Sequence, residues 1–180
     1  MKRILLFVLL LILLPVCVAG QDLLPGIPPF GARIQLLPIL FCLGVMSLPV
    51  LPAAAFALAV AVVQGLALLQ VQSGQAELGL TLPVLFFLSW GLVLRMTADA
   101  TGGIRWETHA AASALVTLTM LGGEFLVLCM KRGGFPVSGP VLAKIAIPSV
   151  AALLVSPLLY TLLRGVVPRA DAPGTETPED

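Results

Sequence analysis

The sequence predicts an all-α membrane protein, a polytopic bundle of about six transmembrane helices, and three observations carry that prediction. Of 180 residues, 59% are apolar and only 11% are charged, against roughly 25% charged in an ordinary soluble chain. The mean hydropathy is +1.08, and a soluble fold of this size cannot hide so much apolar surface. The apolar residues also fall into stretches close to the ~20 residues a helix needs to cross a bilayer. Soluble enzymes and disordered proteins are excluded, and a net charge of +1 leaves no basic excess to neutralise a nucleic-acid backbone.

The first span runs over 4–19, after Lys2 and Arg3 and before Gln21-Asp22. A positive start, a leucine-rich middle and the small-residue exit Val16-Cys17-Val18-Ala19-Gly20 also describe a signal peptide, so this segment is either a retained helix or a cleaved leader. From Ile34 to Leu69 there is no charged residue, a run too long for one crossing. Pro49 and Pro52 remove backbone donors and disfavour helix before each ring, which divides the run into spans at 34–48 and 53–69. Gln70 to Glu77 is a polar loop, and a fourth span follows at 78–94 with Trp90 near one end as an interfacial anchor.

Arg95 to His109 is the most polar interior stretch and reads as a solvated connection broken by Gly102-Gly103. The fifth span covers 110–130 and stops at Lys131-Arg132. The sixth, 141–167, carries Pro148 and Pro157, which predict kinks or a break. An acidic tail, 168–180, completes the chain, with residues 1–167 forming one transmembrane domain and the tail expected to be disordered. Six spans are expected, or five if the first is removed. With six spans and the N-terminus inside, Lys2, Arg3, Arg95, Arg105, Arg164 and Arg169 face the cytoplasm, against Arg33, Lys131, Arg132 and Lys144 outside. That asymmetry favours both termini in the cytoplasm.

The chain carries little that does chemistry. There is one histidine, too few for a histidine metal site or an acyl-transfer triad. Cys17, Cys42 and Cys129 lie in apolar spans without neighbours at metal-ligand spacing and read as small hydrophobes. No phosphate-binding glycine loop is present, so no cofactor or metal is expected and no enzymatic activity. Glu124 is the exception, an acid inside the fifth span, where a charge costs about 2.5–3.5 kcal/mol on insertion scales. It reads either as a proton or substrate site or as a hydrogen-bonded packing residue. Lys144 sits nearer its membrane face, where it can snorkel, and no pair with Glu124 is expected.

Gln64, Gln70 and Gln72 gather at the end of the third span, where amides can bridge helices. Ala57, Ala61 and Gly65 recur every four residues on one face of it, a small-residue stripe for close helix approach, within the chain or to a partner.

This layout resembles the rod shape-determining protein MreD family of bacteria. Gly31-Ala32-Arg33-Ile34-Gln35-Leu36-Leu37-Pro38 resembles the opening of that family's second span, and Gln64-Gly65-Leu66-Ala67-Leu68-Leu69-Gln70 resembles its glycine- and leucine-rich helix end. Leu78-Gly79-Leu80 resembles the short loop after it, and Pro157 to Arg164 the closing helix. The family's acid at the end of the third span is replaced here by Gln70 or a nearby leucine. The resemblance implies a non-enzymatic component of the cell-elongation and peptidoglycan-synthesis complex. Such a protein would lie in lipid in the bacterial cytoplasmic membrane and scaffold MreC-like, MreB-like and peptidoglycan-synthase partners through helix contacts. It also implies a fold similar to the substrate-binding subunits of energy-coupling-factor transporters, which leaves a small-molecule-binding transporter subunit as the alternative.

Overall fold

The computed structural model describes residues 2–67, 70–72, 75–77, 81–101, 105–135 and 137–163. The tail at 168–180, the Gly102-Gly103 doublet and Leu78-Gly79-Leu80 lie outside the described residues. Six helices run in order: α1 (Lys2–Leu23), α2 (Leu37–Ser47), α3 (Val50–Ala67), α4 (Thr81–Ala100), α5 (Trp106–Arg132) and α6 (Gly139–Leu163). Between α3 and α4, β1 (Gln70–Gln72) and β2 (Gln75–Glu77) pair antiparallel, with Gln70 opposite Glu77. Five of the helices are long and apolar enough to cross a membrane. Their outer faces are apolar, with Leu158 69% and Leu162 79% exposed, an arrangement that only a lipid surround tolerates on this scale. This is a multi-pass helical membrane bundle.

The second span departs from expectation. It is a helix of 11 residues, about 16 Å long at 1.5 Å per residue, half of the ~30 Å hydrocarbon core. Its start is set by Pro38, which sits in the first turn where a missing N–H does no harm. Its end is set by Pro49, which pushes Leu48 into the extended region at φ −93 and ψ 152. The Pro49 carbonyl then accepts from Ala53 N–H at 2.8 Å and α3 begins, with Pro52 in its first turn.

Every residue of α2 from Leu37 to Met46 is buried, and the helix touches all five of the others. It is the plug of the bundle. On one side of it stand α1, α3 and α4; on the other, α5 and α6 pair along their length. α1 contributes one stripe, Leu6, Leu10 and Leu14, to the core. Phe41 of α2 meets Phe87 of α4 edge-on at 4.9 Å between ring centroids, a geometry aromatic quadrupoles favour.

The expected small-residue stripe, Ala57, Ala61 and Gly65, lies on the buried face of α3. A Cβ placed at Gly91 of α4 would meet the Ala57 Cβ at 3.5 Å, so α3 and α4 approach closely there. The tightest approach is elsewhere. Gly44 of α2 lies against the Phe56 ring of α3, where any added side-chain atom would overlap it. α5 ends in Gly133 at φ 67, the left-handed cap that glycine adopts without strain, and Gly134 N–H returns to Cys129 O at 3.2 Å. α6 continues as helix through both Pro148 and Pro157.

Candidate functional site

Two polar sites lie inside the apolar bundle. The first surrounds His109, which belongs to α5 rather than to a solvated connection, and is 0% exposed. His109, Ser113 and Thr117 recur every four residues and form a polar line down the buried face of α5. Ser149 and Ser156 sit seven apart on α6, both buried, two helical turns that keep them on one face.

The lines interlock. His109 Nδ1 lies 2.6 Å from Ser156 Oγ, and Nε2 lies 3.3 Å from the Ile39 carbonyl of α2. The tautomer that serves both contacts carries its proton on Nε2, donates to Ile39, and accepts the Ser156 hydroxyl proton at Nδ1. Ser113 Oγ donates to the His109 carbonyl at 2.8 Å and touches Ser156 Oγ at 3.2 Å. Thr117 donates back to the Ser113 carbonyl at 2.7 Å.

A serine hydroxyl directed at a histidine oriented by a carbonyl is the pairing that activates serine nucleophiles. Here His109, Ser113 and Ser156 are each 0% exposed, and their contacts link α2, α5 and α6. Sequence reasoning passed over this cluster. Its signal was the four-residue polar spacing on α5 with serines seven apart on α6.

The same end of the bundle holds Arg95 of α4, also expected in a solvated connection. Its guanidinium donates to Leu48 O at 2.8 Å and Met46 O at 3.4 Å and pairs with Asp99 one turn on. The last carbonyls of a helix have no intrahelical partner and carry the negative end of its dipole, so Arg95 caps α2. His109 is the fourth residue of α5 and Arg95 the sixth from the end of α4, within about 5 and 8 Å of those helix ends. Both ends of α2 are thus tied near the α4–α5 connection, and from between them Phe41 reaches Phe87, 13 residues from the end of α4.

The second site lies toward the other end of the bundle. Glu124 stands 18 residues into α5, about 27 Å along it, on the line that continues Ser113, Thr117 and Met120. Gln64 of α3 donates from Nε2 to Glu124 Oε1 at 3.4 Å. Gln64 is 7% exposed, and its Oε1 is buried without a partner. Glu124 itself is half-buried. The structure therefore brings together two of the sequence-expected polar residues, Gln64 and Glu124. Ala57, Ala61 and Gly65 lie on the same buried face of α3 as Gln64, with Ala57 toward Gly91 of α4. Gln70 begins β1, and its side chain lies outside the described residues.

Lys144 stands differently from expectation. The contacts of His109 and Ser113 with Ser156 set an antiparallel register that brings Glu124 level with 141–145. Depth does not separate the two charges. Lys144 is exposed and makes no ion pair among the described residues, so direction around α6 keeps them apart.

A shallow groove of about 290 Å³ between α5 and α6 is lined by Ala111, Ala114, Leu115, Leu118, Ser149, Val150 and Leu153 and is almost wholly apolar. Among the described residues no group of three or more His, Cys, Asp or Glu side chains is placed to hold a metal ion. Compared with family models, with curated proteins and with solved structures, the chain matches none.

Proposed function

We propose that this chain is a non-catalytic scaffold of the MreD type. It would work in the bacterial cytoplasmic membrane and hold partners of the cell-elongation and peptidoglycan-synthesis machinery through helix–helix contacts. The observation that carries this reading is how the interior polar groups are used. His109, Ser113, Ser156 and Arg95 each bind a neighbouring helix, while the outer faces of five long helices offer apolar surface. In lipid such faces associate by close packing and by a few hydrogen bonds rather than by the hydrophobic effect. The MreD-type role itself rests on the stretches that resemble that family.

The test is affinity purification of the full chain from native membranes in mild detergent, with partners identified by mass spectrometry, alongside depletion in a rod-shaped host. MreC-like or synthase partners and rounding of depleted cells support the reading; neither partner nor shape change refutes it. One observation favours the alternative, a small-molecule-binding transporter subunit: the acceptor-rich Gln64–Glu124 pair. A co-purifying small molecule, lost in Glu124→Ala, would establish it.

From the short α2 we also propose a second orientation. α3, α4, α5 and α6 alternate in direction, and Gly20 near the end of α1 lies beside Leu36 at the start of α2. Five crossings would put the start of α1 and the end of α6 on opposite faces. Among the described residues Lys2, Arg3, Lys131, Arg132 and Lys144 would then share one face, and Arg33, Arg95 and Arg105 the other. The six-against-four split that favoured both termini in the cytoplasm would no longer apply. Reporter fusions at each terminus should report opposite compartments; the same compartment for both would mean that α2 crosses.

A further inference from the structure

On the scaffold reading above, we infer that the cleft between α3 and α5 at Glu124 is the docking site for a partner's transmembrane helix carrying a lysine or arginine. No Cα of α3 comes within 8 Å of one on α5, whereas the helices that pack on one another in this bundle do. The plug α2 touches both helices, and its two ends are tied near the α4–α5 connection. At the level of Glu124 one long hydrogen bond crosses the interval, Gln64 to Glu124 at 3.4 Å.

The chemistry of the cleft lacks donors. It presents two carboxylate oxygens of Glu124 and the Gln64 Oε1, which is buried without a partner. Against these three acceptors stands the single amide of Gln64. Among the described residues no cation pairs with Glu124. Beside it, Gly122 and Gly123 leave the backbone bare, and a Cβ on either would meet nothing within 4 Å. A helix can therefore approach α5 closely there, and a cation it carries would meet the Glu124 carboxylate, with the unpartnered Gln64 Oε1 behind it. Glu124 is level with Lys144 and eight residues from the end of α5, so the cation belongs near one end of the partner's span.

The probe is a labelled poly-leucine transmembrane peptide with one lysine two turns from one end, co-reconstituted with the full-length chain in phosphatidylcholine vesicles and read by energy transfer. All-leucine peptides and peptides with glutamate at the lysine position run in parallel. The lysine peptide is expected to associate about tenfold more tightly than the all-leucine one, within the range of polar helix contacts in bilayers. Glu124→Gln removes that advantage, and Glu124→Lys transfers it to the glutamate peptide, which a misfolded variant would not do. Equal binding of all three peptides, or a lysine preference that survives Glu124→Gln, overturns the inference. So does a small molecule found in the cleft in place of a helix. Native partners that co-purify equally with the wild type and Glu124→Gln leave the scaffold reading intact and refute this docking site. A lysine preference with no native partner in either does the reverse.

Discussion

Replacing Gly44 with alanine should unseat α2 from α3. An alanine Cβ at this position would stand 2.5 Å from Phe56 Cδ1 and closer still to Cε1, where carbon atoms normally rest about 3.5–4.0 Å apart. Phe56 is 0% exposed, so its ring has no free space to turn into, and α2 is confined by helices on every side. Overpacking of this kind costs about 1–3 kcal/mol and more where nothing yields; about 3 kcal/mol is expected. Phe56→Ala alone should cost about 3 kcal/mol, the lower end of the usual range, because lipid removes the water-transfer part and leaves the cavity. In the double variant the clash is gone and the new methyl fills part of the hole. Its loss should be no greater than that of Phe56→Ala alone, a coupling of about 3 kcal/mol. Reversible unfolding by sodium dodecyl sulfate in dodecylmaltoside micelles, followed by Trp90 and Trp106 fluorescence, measures all three. Gly44→Ala within ~0.5 kcal/mol of wild type, or additive losses in the double variant, would refute the close approach.

Three further outcomes follow from the polar contacts and the stripe. Ser156→Ala leaves His109 Nδ1 buried without its partner and should cost about 0.6–1.7 kcal/mol, the span measured for hydrogen bonds between membrane helices; with His109→Leu added, the losses should be markedly non-additive in the same unfolding assay. Arg95→Met keeps the stem and removes the cap of α2. It should cost about 1.5–3 kcal/mol and speed amide exchange selectively at 44–48, while Asp99→Asn, on the exposed side of that ion pair, should cost under about 1 kcal/mol. Gly65→Leu places a large side chain on the buried face of α3 and should lower the yield of monodisperse protein in gel filtration; normal folding would show that this face has room.

Much of the membrane architecture was legible because hydropathy and proline act locally. The break at Pro49, the stop of α5 at Arg132 and the long third, fifth and sixth helices all follow from residues within a turn of the boundary. The length of α2 was misjudged because hydropathy counts Ile34, Gln35 and Leu36 whatever their conformation, whereas Pro38 accepts helix only in its first turn. The His109 site was hidden for a different reason. Its spacing on α5 is visible along the chain, but only the packing shows that Ser156, 47 residues away, and Ile39, 70 away, complete it. Arg95 was assigned to a connection because a charge ends a hydropathy window. In the fold its pair with Asp99 and the hydroxyl contacts of Thr97 and Thr101 with preceding carbonyls sit on a helix that runs to Ala100.

The half-length of α2 sets the order in which the chain can be completed during its synthesis. This helix emerges from the ribosome before the groups that finish it: Arg95 follows Leu48 by 47 residues and His109 follows Ile39 by 70. At ~5–20 residues per second that delay is on the order of several seconds. Throughout it a segment too short for stable insertion by itself has open carbonyls and an apolar surface. The contacts that α5 and α6 make with it are the last that the order of synthesis can supply.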